Sequence, residues 1–387
     1  MFTRTIAAGG AIGIAALLLT SVAASAADDM PPSARRIVAD LKVAPDLLAD
    51  WAEEQKVPDA WVLGARAEGA LKINGSWSPR EFDAMAAPFR ERFPFIKIAY
   101  SRGSNNTRVR VPLIAFKEGR ITTDIITGVD SSINQFRAAN ALADLSDVPN
   151  MTKIPAGMGS TRGYWAGVRV RYWCIGFNPK LIAPADMPAR WEDLLTAPGL
   201  KDGRLALWRG ATSWLLPLWG EKGEDWVRDF SRRLFTDVKP QRRKEGARAL
   251  VSLVVAGEFN ATLAAAAYQV RSLEKKGAPV GFHCPDIVPV SISSVGVLAK
   301  NPHMNAAKIF MNWLLSKEGQ LAQYAADGAP PVHKDLIGRG FMAYPDAIKG
   351  KKIAFRNPEL LDDDLRALLG FWEPLWKSGE EKGKAGD

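Results

Sequence analysis

The chain has 387 residues, of which 47% are apolar and 24% charged, with a formal net charge of +9. This composition excludes a disordered or fibrous polymer, and the length exceeds the ~250 to 300 residues that one hydrophobic core usually serves, so two lobes are predicted. The basic residues are scattered among acids. Their densest group, Arg242-Arg243-Lys244, runs straight into Glu245 and reads as a solvated helix face, so nucleic acid is not expected as a partner.

At the start, one positive charge at Arg4 precedes an uncharged apolar stretch over 6–19 and the small residues Ala24-Ser25-Ala26. That is the plan of a secretory signal peptide, with cleavage expected before Ala27; the stretch is shorter than the ~20 residues of a membrane-crossing helix. No cysteine lies near the cut, which argues against lipid attachment. Residues 27–56, rich in Ala, Pro and charge, are expected to form a loosely attached leader with a short helix over 44–54. A helix over 58–69, a strand over 71–74 and a turn at Gly75-Ser76 follow. Ser78-Pro79-Arg80-Glu81 is a capping box with proline at the first helical position. Phe82, Met85, Ala86, Phe89 and Phe93 recur behind it at helical spacing and are assigned to the core.

A strand over 96–101 leads into the polar loop 102–107, a helix over 108–118 and a third strand over 123–127. Helices alternating with short strands predict a mostly parallel sheet covered on both faces. The alternating, aromatic-rich stretch 164–177 reads as a longer strand that carries the chain into a second lobe. There the pattern repeats: a helix near 191–195, a strand over 204–208, helices to about residue 257 and a strand over 262–266. The β-rich run 288–299 leads back, and an amphipathic helix over 305–317 is expected to stop at Gly319. The final residues, 380–387, read as disordered.

Three stretches in this order carry a resemblance: FDAMAAPFRERFPFIKIAYSRG from Phe82, VRYWCIGFNPKLI from Val170 with WEDLLTAPGLKDGRLAL from Trp191, and NPHMNAAKIFMNWLLSKEGQ from Asn301 followed by Pro330-Pro331-Val332. Over about 72–334 the chain resembles extracellular solute-binding proteins of ABC importers, in the branch that includes ferric-ion-binding proteins and their organic-anion-binding relatives. The resemblance implies an α/β, type 2 periplasmic-binding-protein fold: two lobes, each a mostly parallel sheet flanked by helices, joined by two hinge crossings around a ligand cleft. On this reading 57–178 and 288–346 form lobe 1, 179–287 lobe 2 and 347–387 a C-terminal helix and tail. It further implies a periplasmic monomer without cofactor, which closes on a small ligand and passes it to a membrane permease. Ferric-binding members use two adjacent tyrosines late in lobe 2; the matching stretch here has only Tyr268, followed by Gln269, which puts ferric binding in doubt and turns the expectation towards an organic anion.

His283, His303 and His333 are far apart, and no zinc spacing, nucleophile elbow or P-loop occurs, so neither a metal site nor an enzyme is expected. A ferric-ion or metal-chelate binding protein of the same fold, an exported enzyme on a two-lobed scaffold, and a sensor subunit are the alternatives. Ligand contacts are expected in loops past the carboxyl ends of strands, where helix N-termini present free amides. In lobe 1 these are Ser76 and Trp77; Arg102, Ser104 and Asn105; and Gly128 and Asp130. In lobe 2 they are Trp208, Arg209, Thr212 and Ser213, where a guanidinium, hydroxyls and backbone amides suit an anion, with Tyr268 and Gln269 walling the cleft. Helix capping by Thr212 and Ser213, and surface ion pairs for Arg102 and Arg209, are the competing readings. The two cysteines, Cys174 and Cys284, lie near the crossings; one disulfide bracing the hinge and two buried thiols both fit.

Overall fold

A computed structural model describes residues 30–104, 106–360 and 362–378. The signal peptide, Asn105 and the tail 380–387 lie outside the described residues. Ten strands form one continuous sheet: β1 Ala70–Gly75, β2 Lys97–Arg102, β3 Ile125–Thr127, β4 Ala166–Phe177, β5 Leu205–Trp208, β6 Gln241–Arg243, β7 Ala261–Ala266, β8 Gly281–His283, β9 Val288–Val297 and β10 Ile353–Phe355. The order β2-β1-β3-β9-β4-β7-β5-β6 divides at its centre. On one side β1 pairs in parallel with β2 and β3; on the other β5 pairs in parallel with β6 and β7. These are the sheets of two α/β lobes.

The two long strands β4 and β9 are antiparallel and join the lobes. The first half of β4 pairs with β9, from Ala166 opposite Val295 to Tyr172 opposite Val290. Its second half belongs to lobe 2 and pairs with β7 and β8, while the far end of β9 pairs with β3 in lobe 1. Cys174 and Cys284 are disulfide-bonded beside this junction, with Cα atoms 4.9 Å apart.

Each lobe has its own core. In lobe 1 the helix Pro79–Arg92 begins with the expected capping box and buries Phe82, Met85, Ala86 and Phe89 against Phe310 and Trp313. Each such aromatic contributes roughly 1.5 to 3 kcal/mol of burial. In lobe 2 Trp191, Trp214 and Phe230 pack with Trp372 and Trp376 from the C-terminal helix Asp362–Lys377.

Three local expectations are corrected. Residues 30–54 are not loosely attached: Met30, Ala34, Leu47, Leu48 and Trp51 are buried against Leu321 and Leu336. Their apolar side chains are spread over the helix Pro32–Asp40 and two short turns, so no single period revealed them. Arg242-Arg243 is strand β6 rather than a helix face; the Arg242 guanidinium lies 4.4 Å from the Phe235 ring and Arg243 pairs with Glu245 and Glu258. The helix Met304–Leu315 ends at Ser316, whose hydroxyl accepts from Gly319 N and caps a second helix, Lys317–Asp327. Gly319 lies inside that helix, and the position requires glycine because a Cβ there would come within 2.1 Å of the Trp313 carbonyl oxygen.

Candidate functional site

The face of the hinge that looks into the cleft follows from the register of β4 and β9. Arg169 stands opposite Ser293 and Arg171 opposite Ser291. Because side chains alternate across a strand, both guanidinium groups emerge on one side. Arg169 donates to Ser76 Oγ at 2.6 Å and pairs with Asp327; Arg171 pairs with Asp130. Arg108, half-buried, donates from Nε to the Gly103 carbonyl at 2.9 Å and from Nη1 to the Gly128 carbonyl. Burial lowers the Arg108 pKa; Asp130 opposes that, and the neighbouring Arg171 and Arg169 charges add to it. Three guanidinium groups thus converge where the lobes meet.

The surroundings hold this cluster rigid. Asp327 Oδ2 also accepts from Trp77 Nε1 at 3.0 Å, and its Oδ1 accepts from Gln323 Nε2 and Ala329 N at 2.6 and 2.8 Å. Burial pushes the Asp327 carboxyl up, with the Arg169 charge pulling against it. The Arg169 guanidinium lies 4.8 Å from the Trp77 ring and 5.7 Å from the Tyr268 ring, within cation–π range. Nevertheless the Nε atoms of both Arg169 and Arg171, and the buried hydroxyl of Ser293, have no hydrogen-bond partner among the described residues. Buried polar groups are normally satisfied, and these three atoms depart from that rule. A cavity beside it is lined by Asp130, Ser131, Thr212, Ser213, Ser291 and Arg356.

The described residues hold one group spaced for a metal, Glu54, His333 and Asp335. It lies away from the cleft and is already neutralised: Lys153 and Lys317 approach Glu54 Oε1 at 3.3 and 3.5 Å, and the Asp335 amide donates to His333 Nδ1 at 3.2 Å. His333 Nε2 faces Glu54 Oε1 at 3.2 Å.

Residues 84–346 match the model of a family described as bacterial extracellular solute-binding protein. The chain belongs to that family. Among solved structures, iron-bound HitA from Pseudomonas aeruginosa is 20% identical, over 79% of this chain and 99% of its own, with a TM-score of 0.66. AfuA from Actinobacillus pleuropneumoniae, with exogenous fructose-6-phosphate bound, is 20% identical over 80% and 99% with a TM-score of 0.67. The substrate-binding protein of an ABC transporter from Agrobacterium tumefaciens is 16% identical over 81% and 96%, also at 0.67. These likenesses show the two-lobed fold. No curated protein matches the chain.

In this solute-binding protein the loops chosen from the sequence divide into two groups. Ser76, Gly128, Asp130 and Tyr268 touch the arginine cluster, and Thr212 and Ser213 line the cavity beside it. Gly128 has φ +72 and lies so near Ser76 and Arg108 that a Cβ would fall 2.3 Å from the Ser76 hydroxyl. The helix Thr212–Lys222 has no side-chain cap, so capping does not account for Thr212 and Ser213. Gln269 donates to the Tyr268 hydroxyl at 3.1 Å, and its Oε1 is buried without a partner.

Of the remaining choices, Trp77 and Arg209 are corrected, and the others make local contacts or face solvent. Trp77 is 1% exposed and belongs to the lobe 1 core, so it cannot stack on a ligand. Arg209 is exposed and paired with Glu373 of the C-terminal helix, while its carbonyl accepts from Trp372 Nε1 at 2.9 Å. Trp208 is braced against Trp173, with its Nε1 donating to the Ala264 carbonyl at 3.0 Å. Arg102 and Ser104 are exposed, and the Ser104 hydroxyl accepts from Thr107 N at 3.3 Å in a local turn. Arg108, Arg169, Arg171 and Asp327, which come together at the junction, were not among the sequence choices. The signal for two of them was in the sequence: Val168-Arg169-Val170-Arg171 places charge at period two inside an otherwise apolar strand.

Proposed function

We propose that this protein is the periplasmic solute-binding component of an ABC importer and that it holds a small anionic solute between its lobes. The observation that supports this reading is the cluster of Arg108, Arg169 and Arg171, with unpartnered donors at both β4 arginines and Ser293. Charge-assisted hydrogen bonds from guanidinium groups are the strong kind, and planar donor pairs suit carboxylate and phosphoryl oxygens. The export signal in the sequence and the membership of an extracellular family support the periplasmic location. The expected partner is a membrane permease that recognises the closed form of a monomer, and no cofactor takes part.

HitA is iron-bound in its structure, but ferric ion calls for several anionic oxygens, whereas the carboxylates here, Asp130 and Asp327, are each taken by an arginine. An anion is the better complement. Thermal-shift measurement across carboxylates, phosphoryl compounds and ferric chelates tests this, with mass spectrometry of whatever co-purifies. A ligand that binds only the folded state at a hundred times its Kd adds about 2.7 kcal/mol of stability. Arg171→Met should remain folded and lose that shift; a protein stabilised only by ferric ion or by a neutral solute would overturn the reading.

A further inference from the structure

The charges in the cleft can be counted, and the count narrows the ligand. Resting on the anion reading above, we infer that the solute is a monoanion of the monocarboxylate class rather than a dianion. Arg108, Arg169 and Arg171 supply three positive charges, and Asp130 and Asp327 two negative ones, which leaves a net +1. Other charged groups at the cleft cancel in pairs: Arg248 of lobe 2 meets Glu81 of lobe 1 at 2.7 Å, and Arg356 pairs with Asp364. Arg102 is exposed to solvent. Burial holds Tyr100 in its neutral form.

Burial also makes the count consequential. The Arg169 and Arg171 side chains are only 2% and 9% exposed, so a residual charge there is poorly screened and an unmatched ion is costly. A monoanion brings the cluster to neutrality; a dianion leaves it with a buried negative charge.

Two measurements on the full mature protein test the inference. Calorimetric titration compares glycolate, lactate and benzoate with malonate, succinate and glycerol phosphate; the monoanions should bind at least about tenfold tighter, the factor expected from ~1.4 kcal/mol of uncompensated charge. Glycerol phosphate gives a test without mutation, since its second proton leaves near pH 6. Its affinity should weaken from pH 5 to pH 8, and no histidine at the cleft confuses that window: His283, His303 and His333 contact Pro188, Asp124 and Glu54. Asp130→Asn then raises the cluster to +2, with a residue that accepts the left-handed φ of 49° at this position. In this variant the preference should reverse in favour of dianions, and glycerol phosphate should bind tighter, not weaker, from pH 5 to pH 8. Tighter wild-type binding of dianions, or an unchanged preference in Asp130→Asn, would overturn the inference while leaving an anion carrier. Binding of neutral solutes alone would instead remove the anion reading on which it rests.

Discussion

Asp327 is the residue on which the cleft cluster depends most. Its two oxygens gather Trp77, Arg169, Gln323 and Ala329, and its neighbours span both the hinge strand and the end of the helix Lys317–Asp327. Asp327→Asn would leave Arg169 buried without its counterion, and breaking a buried pair in this way costs about 3 to 5 kcal/mol. Chemical denaturation should show a loss of that size, partly restored by a bound anion. The residues around Asp327 also show what a sequence can reveal. Ser76, Asp130 and Thr212 were readable because each follows a strand at a turn, where ligands are met. Arg169 and Arg171 carried an ambiguous signal: alternating charge in a strand ordinarily marks a solvent face, and only the pairing of β4 with β9 turns that face into the cleft. Trp77 and Arg209 misled for the opposite reason, since a site one residue along a loop can face the core or the outer surface.

Between elements, the decisive contact is the one that the helix Pro79–Arg92 makes with the helix Ala247–Val255. Glu81 completes the capping box of the first through Oε2, which accepts from Ser78 N at 2.7 Å, and accepts from Arg248 of the second through Oε1. Burial raises the Glu81 pKa, but the Ser78 amide and Arg248 outweigh it and leave the value lowered. The contact runs from one lobe to the other across the cleft. Arg248→Met leaves the capping box intact, and because the Arg248 side chain is 42% exposed its loss should change unfolding stability by less than about 1 kcal/mol. Ligand affinity should fall several-fold, through faster dissociation seen in stopped-flow traces; an unchanged dissociation rate would mean that the pair is incidental. Elements such as this helix were legible because capping and periodicity are local. The stop at Ser316 and strand β6 were not, since a serine cap that starts a second helix directly after the first and a sheet edge decide them.

At the scale of the molecule, the segments outside the two lobes tie the fold together. Glu54, in the N-terminal segment, accepts from Lys317 N at 2.7 Å and lies 3.2 Å from His333 Nε2. Burial raises its pKa, but His333 and Lys317 outweigh that and hold it below the usual 4.5. A depressed carboxylate contributes stability above its unfolded pKa and loses it as pH falls through the folded value. Docking of residues 30–54 should therefore weaken below about pH 4.5, detectable as early loss of hydrogen-exchange protection there; Glu54→Gln should show that loss at neutral pH.

The C-terminal segment is a strap rather than a tail. Tyr344 stacks on Phe282 of lobe 2, β10 pairs with β9 at the hinge, and Glu359 returns to lobe 1, accepting from Trp165 Nε1 at 3.1 Å. The helix Asp362–Lys377 then enters the lobe 2 core through Leu368, Trp372 and Trp376. Opening the cleft must stretch this path or release one of its anchors. Glu359 is the weaker one, a single carboxylate set against three buried apolar side chains. In Glu359→Ala the helix should stay docked and the protein folded, while the strap keeps only the Asn134 hydrogen bond to the Pro358 carbonyl as its hold on lobe 1. The ligand-free variant should then scatter X-rays with a larger radius of gyration than the ligand-free parent, and bind its solute more weakly because closure has further to travel. An unchanged radius would place the limit on opening in β4 and β9 alone.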